Sequence, residues 1–172
     1  MVNLSKSKYC ALWQCPKMLW LRKYKPELAE VDSNTLSIME TGNAVGDLAM
    51  GLFGDFTEVT VYTDGEIDLP AMMRRTQEEI AKDTPVICEA SFEWNGLYCA
   101  VDILRREGDG WSIYEVKSST SDDKAVYIAD VAYQKFVLEH CGVKVTGTYL
   151  VVLNRDYIFD GTLDLQKLFK VT

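Results

Sequence analysis

The stretch from Val86 to Ser118 constrains the fold most, because two-residue turn signals separate its three strand-like runs. Val86–Trp94, Leu97–Arg106 and Trp111–Ser118 are rich in β-branched and aromatic residues, which suit a pleated, half-buried surface. Asn95-Gly96 is the favoured two-residue hairpin loop, since a type I′ turn needs positive φ at both central positions. Gly108-Asp109 can serve as a second loop of the same length. Loops this short join antiparallel neighbours, so the three runs form a meander.

The same loops set the register. With Trp94 facing Leu97, counting back in pairs places Glu89 opposite Asp102. With Glu107 facing Gly110, Asp102 falls opposite Glu115. Side chains alternate faces along a strand, so Lys117 stands one step from Glu115 on the same side. A row of Glu89, Asp102 and Glu115 across three strands is self-repelling, and directly opposed like charges destabilise a sheet. A three-residue turn at Gly108–Gly110 would shift the register and break the row. If the row forms, a hard divalent cation with oxygen ligands is its natural occupant. The plain alternative for Glu115 and Lys117 is an exposed strand face carrying a weak ion pair.

Helical patterns surround the meander. Asn3-Leu4-Ser5 opens a first helical segment, and Cys15-Pro16 opens a second through Leu19–Lys23, with Pro at a tolerated early position. Leu36–Phe53 has helical spacing but carries Gly42, Gly46 and Gly51, which suit close packing or the approach of a ligand. Phe56–Thr63 reads as a strand and Pro70–Asp83 as a polar surface helix. Asp122–Cys141 reads as an amphipathic helix ended by Gly142, Lys144–Leu153 as a strand, and Asp160–Phe169 as a short terminal helix. In the helix after the meander, Tyr127, Val131, Gln134 and Leu138 share one stripe, which puts Gln134 on an otherwise apolar face. There it is either a boundary residue or a group reaching the polar row of the sheet. The order predicts one domain over residues 1–172 with an α+β or mixed α/β fold.

Charge is unevenly distributed. Six cations (Lys6, Lys8, Lys17, Arg22, Lys23, Lys25) precede Glu27 with no carboxylate among them, while the whole chain carries a net charge of -8. A basic helical segment over 1–26 on an acidic body can hold a phosphate backbone; a solvated helix face is the alternative. The five cysteines are odd in number and lack secretory context, so reduced thiols are expected. No apolar run approaches the ~20 residues that span a bilayer, and Met1–Lys8 lacks the apolar core of a signal peptide. These features lead to the expectation of a cytoplasmic chain with no membrane partner.

Asp102 within Val101-Asp102-Ile103-Leu104, then Glu115-Val116-Lys117, then a helix with Gln134, resembles the PD-(D/E)XK nuclease superfamily. Within it the D…ExK…Q order is similar to the RecB-like exonuclease branch. The ends, LSKSKYCALWQCPKMLWL and EVKSST…DVAYQKFVLEHCGV…LNRDYI, are similar to an uncharacterised bacterial domain family of that branch. The resemblance implies a restriction-endonuclease-like α/β core and a nuclease dependent on Mg2+ or Mn2+, acting on DNA in repair, recombination or defence. It implies catalytic roles for Asp102, Glu115, Lys117 and Gln134, and a metal held by Asp102, Glu115 and the Val116 carbonyl, with Glu89 or Asp47 adding to the set. In this reading the metal and the substrate phosphate balance the charges of Glu115 and Lys117. Lys17, Arg22, Lys23, Lys25 and Tyr127 are the candidate nucleic-acid contacts. Two departures stand out. Relatives carry a metal-binding His where this chain has Gly46, and no cysteine follows Cys141 to build an iron–sulfur cluster. The Gly46 position keeps open a catalytically inactive nuclease-fold module that binds nucleic acid or another protein.

Overall fold

A computed structural model describes residues 2–29 and 32–172. The elements run β1 (Leu4–Ser5), α1 (Lys6–Gln14), α2 (Pro16–Tyr24), α3 (Ser33–Met50), β2 (Thr57–Glu58), β3 (Tyr62–Thr63), β4 (Glu66–Ile67) and α4 (Leu69–Ala81). They continue with β5 (Val86–Trp94), β6 (Leu97–Glu107), β7 (Gly110–Lys117), α5 (Ala125–His140), β8 (Val145–Leu153), α6 (Leu165–Leu168) and β9 (Phe169–Val171). The main sheet is mixed, in the order β2-β5-β6-β7-β8-β9, with β1 added parallel to β6. Helices flank it, and the fold is mixed α/β.

The meander forms as the turns require. Asn95 and Gly96 take φ of 49° and 83°, and Trp94 pairs with Leu97. Gly108 takes φ of 60°, and Glu107 pairs with Gly110. Two apolar clusters fill the faces of the sheet. One lies between it and α5 and includes Phe92, Leu104, Ile113, Val137 and Leu138. The other joins Val45, Ala49 and Met50 of α3 to Cys88, Ile103, Tyr114 and Val151. Both faces of β7 are therefore covered over Gly110–Glu115, and those of β8 at Leu150–Val152, where the sequence reads as a continuous apolar run.

Four expectations need correction. The single strand over 56–63 is broken: Thr57–Glu58 joins the main sheet, whereas Tyr62–Thr63 pairs with Glu66–Ile67 in a separate ribbon. The helix before Gly142 begins at Ala125, not Asp122. The terminal helix shrinks to Leu165–Leu168, because Phe169 is drawn into β9 against Leu153. The helix after Pro70 is not wholly a surface element, since Met72 and Thr76 are buried and Thr76 Oγ1 accepts the amide of Ser91 at 2.9 Å. Among the three glycines of the 36–53 stretch, close packing holds at Gly51, where a Cβ would stand 3.2 Å from Leu165; Gly42 and Gly46 open onto a cleft.

β6 is the longest strand, and it serves two partners along one edge. Its end pairs with β7 from Glu107 back to Ile103, while its start pairs with β1 at Leu97 and Tyr98. The loop at Gly96 holds the incoming chain: its carbonyl accepts the amides of Asn3 at 2.8 Å and Leu4 at 3.0 Å. Tyr133 of α5 adds a hydrogen bond to the Leu4 carbonyl and stacks on Tyr9. A Cβ on Gly96 would lie 2.6 Å from the Asn3 side chain, at a φ that L residues rarely adopt. Gly96→Ala is expected to cost about 1–3 kcal/mol and to raise hydrogen exchange in residues 3–5. Denaturant unfolding combined with amide exchange checks both.

Candidate active site: a buried carboxylate and lysine network

The fork between β1 and β7 is where the polar row forms. Cys88 pairs with Ile103 and Ala90 with Val101, so the register sets Glu89 across from Asp102. One step beyond Ile103 and Tyr114, the same register sets Asp102 across from Glu115. The strands have begun to part here, and the Asp102 carboxylate takes over as acceptor: Val116 donates its amide to Oδ2 at 2.8 Å. Glu89 itself has φ of 58°, inside a strand and on a non-glycine residue. Such backbone strain persists only where the surroundings hold it, and it concentrates at functional sites.

Glu115 is the centre of the network and is 2 % exposed. Lys117 donates to its Oε1 at 2.6 Å, and Gln134 donates Nε2 to its Oε2 at 2.7 Å. Lys6, the first residue of α1, reaches in from the fork and lies 2.9 Å from Oε2, 3.2 Å from Oε1 and 3.3 Å from Asp102 Oδ1. Lys117 turns its remaining reach to Asp130 at 2.6 Å, and Asp130 also accepts from Gln134 at 2.9 Å. The charges of Glu115 and Lys117 are thus balanced by direct pairing and by Lys6 and Asp130, in a buried ion-pair network rather than on a solvated face. Gln134 is fully buried, and its Oε1 has no hydrogen-bond partner among the described residues.

The charge states follow from this arrangement. Burial pushes the Glu115 carboxyl up, but the ammonium groups of Lys6 and Lys117 outweigh it and hold the group down at about 2. Burial and the nearby Asp102 carboxylate raise Glu89 to about 7. Burial and Glu115 raise Asp102 to about 6 against the pull of Lys6. Both lysines stay protonated: burial alone would lower them, and the facing carboxylates lift them above the ordinary lysine range.

Glu89, Asp102, Val116 and Lys117 line a cleft of about 580 Å3 with Gly42, Asn43, Gly46 and Asp47 of α3, and with Glu58 of β2. A Cβ added at Gly46 would meet nothing within 4 Å. The structure therefore brings Glu89, Asp102, Glu115, Val116, Lys117 and Gln134 to one place. Sequence reasoning did not assign Lys6, Asp130 or Glu58 to it. Tyr127 stands beside the network, its ring 5.2 Å from the Lys117 ammonium. Lys17, Arg22, Lys23 and Lys25 lie exposed on and just after α2, apart from the cleft-lining set. His140, the one histidine of the sequence, is exposed at the end of α5, and all five cysteines are free. Among the described residues, no group of three or more His, Cys, Asp or Glu side chains is already arranged as a metal cage, and no helix is long and apolar enough to cross a membrane.

No protein-family model matches the chain, and neither a curated protein nor a solved structure matches it. The site is therefore read from its own chemistry.

That chemistry gives a pH dependence. Glu89 and Asp102 bind protons more tightly in the folded chain than in the unfolded one, so their contribution to stability is lost as pH rises through about 6 and about 7. Glu115 works in the opposite sense: its contribution is present above its unfolded value and lost as pH falls toward about 2. In buffer freed of divalent ions, stability is expected to peak in mildly acidic solution. Between pH 5.5 and pH 8 the loss should be about 1–2 kcal/mol, or about 2–6 °C in Tm, after allowance for solvent screening at the partly exposed carboxyls. Thermal melts of wild type and Glu89→Gln check it, with the variant losing at least half of the difference.

Proposed function

We propose that the protein is a divalent-metal-dependent nuclease that hydrolyses phosphodiester bonds in DNA, on a restriction-endonuclease-like core. Helix α3, the β5-β6-β7 meander, the crossover helix α5 and the parallel strand β8 supply the order of elements on which this reading rests. One observation carries it. Three carboxylates (Asp102, Glu115, Asp130) pair with only two ammonium groups (Lys6, Lys117), and a fourth, Glu89, stands unpaired by any cation across from Asp102 at the open cleft; the raised proton affinity of Glu89 and Asp102 reflects this shortage of positive charge. Hard oxygen donors with that excess fit Mg2+ or Mn2+.

Asp102, Glu115 and Glu89 would hold the ion, with the Val116 carbonyl beside them. Held there, such an ion would supply Lewis-acid polarisation of a phosphate oxygen and activation of water. Lys117 has a separate task. Its raised pKa keeps it cationic, so it cannot act as a general base; it stabilises negative charge developing at phosphorus. Asp130 and Gln134 fix Lys117 and Glu115 in place from α5, so the charges are aimed before substrate arrives. The exposed cations of α2 and its C-terminal end, Lys17, Arg22, Lys23 and Lys25, would hold the phosphate backbone, with the exposed Trp20 and Tyr24 rings beside them.

Gly46 favours a second reading, a nuclease-fold module that binds nucleic acid without cutting it, since a metal-ligating His is expected at that position. Cleavage assays on single- and double-stranded DNA separate the two. The nuclease reading expects turnover with Mg2+ or Mn2+, abolished by chelation and reduced at least ~100-fold in Lys117→Ala. Binding without cleavage under every metal condition would establish the second reading instead.

The free space at Gly46 adds a constructive test. Gly46→His, whose Cβ meets no neighbour, should stabilise α3 by about 0.5 kcal/mol and tighten Mn2+ binding. Calorimetric titration and denaturant unfolding of the variant measure the two effects.

A further inference from the structure

Lys6 occupies the position between two carboxylates that a bridging cation needs. Its Nζ lies 2.9 Å from Glu115 Oε2 and 3.3 Å from Asp102 Oδ1, and these acids belong to neighbouring strands. Lys117 differs from it in one respect. Lys117 has Asp130 as a partner of its own at 2.6 Å, whereas both carboxylates that Lys6 touches are the proposed metal ligands.

We propose that Lys6 is the resident counter-ion of the carboxylate row, and that a divalent cation binding there displaces its ammonium group while Lys117 stays in place. The inference rests on the metal-dependent reading of the same site.

Three observations carry the exchange. Oxygen ligands stand about 2.0–2.6 Å from Mg2+ or Ca2+, so an ion bridging Asp102 and Glu115 would lie within a few ångströms of the present Nζ position. Two cations that close, in a site where Glu115 is 2 % exposed, repel strongly. Displacement is also sterically open. The backbone beside Lys6 is pinned by the Gly96 carbonyl and by Tyr133, but the side chain is one-fifth exposed and can swing without undoing those bonds. Lys6 thus acts as a positioning residue. It keeps Asp102 and Glu115 together before metal arrives and sets how much metal is needed to replace it.

The test titrates the full chain with Mn2+ by calorimetry, in wild type, Lys6→Met and Lys6→Arg. In parallel, the lysine 1H–15N ammonium signals of wild type are followed as Mg2+ is added. Lys6→Met should bind Mn2+ about tenfold more tightly or better, because the competing charge is gone. Lys6→Arg, which restores the charge, should bind no more tightly than wild type. In wild type the Lys6 ammonium signal, protected before addition, should vanish or shift to a solvent-exposed position at saturating Mg2+, while that of Lys117 persists. A merely structural lysine would lower Tm on substitution and leave metal affinity unchanged. Wild type that binds metal while the Lys6 signal stays put, or equal affinities in wild type and Lys6→Met, overturns this inference and leaves the nuclease reading standing. Absence of metal binding in all three proteins overturns both. Should Lys6→Met fail to fold, the wild-type spectra and Lys6→Arg still decide.

Discussion

The buried carboxylate of Glu115 is the constraint around which the molecule is arranged. An ionised carboxylate taken from water costs several kcal/mol unless its charge and lone pairs are met. Here three donors from three elements meet it: Lys6 from α1, Lys117 from β7 itself and Gln134 from α5. The polar network therefore adds to the apolar packing of α5 and ties α1 to the same point of the sheet.

The network also explains the shape of the sheet beside it. β6 cannot pair with β7 along its full length, because the place opposite its first residues is taken by β1. The fork that results gives Lys6 a way in and leaves Asp102 to accept the Val116 amide through its side chain. Glu89, with its left-handed backbone, turns out of the ladder on the far side of Asp102 and faces the cleft. Strain at Glu89 and parting strands at Asp102 are two results of one arrangement, in which repelling carboxylates are held on adjacent strands.

Much of this could be read from the chain, and the reasons are local. Two-residue loops carry their register with them, so Glu89, Asp102 and Glu115 could be aligned from Asn95-Gly96 and Gly108-Asp109 alone. Helical spacing put Gln134 on the buried stripe of α5. Asp130 left a signal of the same kind that went unused, since it stands four residues before Gln134 on the same helix. Lys6 left none. It is 96 residues from Asp102 and 109 from Glu115, and in sequence it is one of six cations in a basic segment. The break in the 56–63 strand was equally hidden, because β-branched composition marks a tendency to extend but not which sheet receives each half.

The attachment of the N-terminal segment bears on how the chain reaches its folded state. The meander closes through turns of two residues and forms from near neighbours, which costs little loop entropy. The Lys6 contacts close loops of about a hundred residues, a larger entropic cost than any turn of the meander carries. The site is thus completed by contacts between distant parts of the chain, and its integrity depends on the N-terminal segment staying docked in the fork.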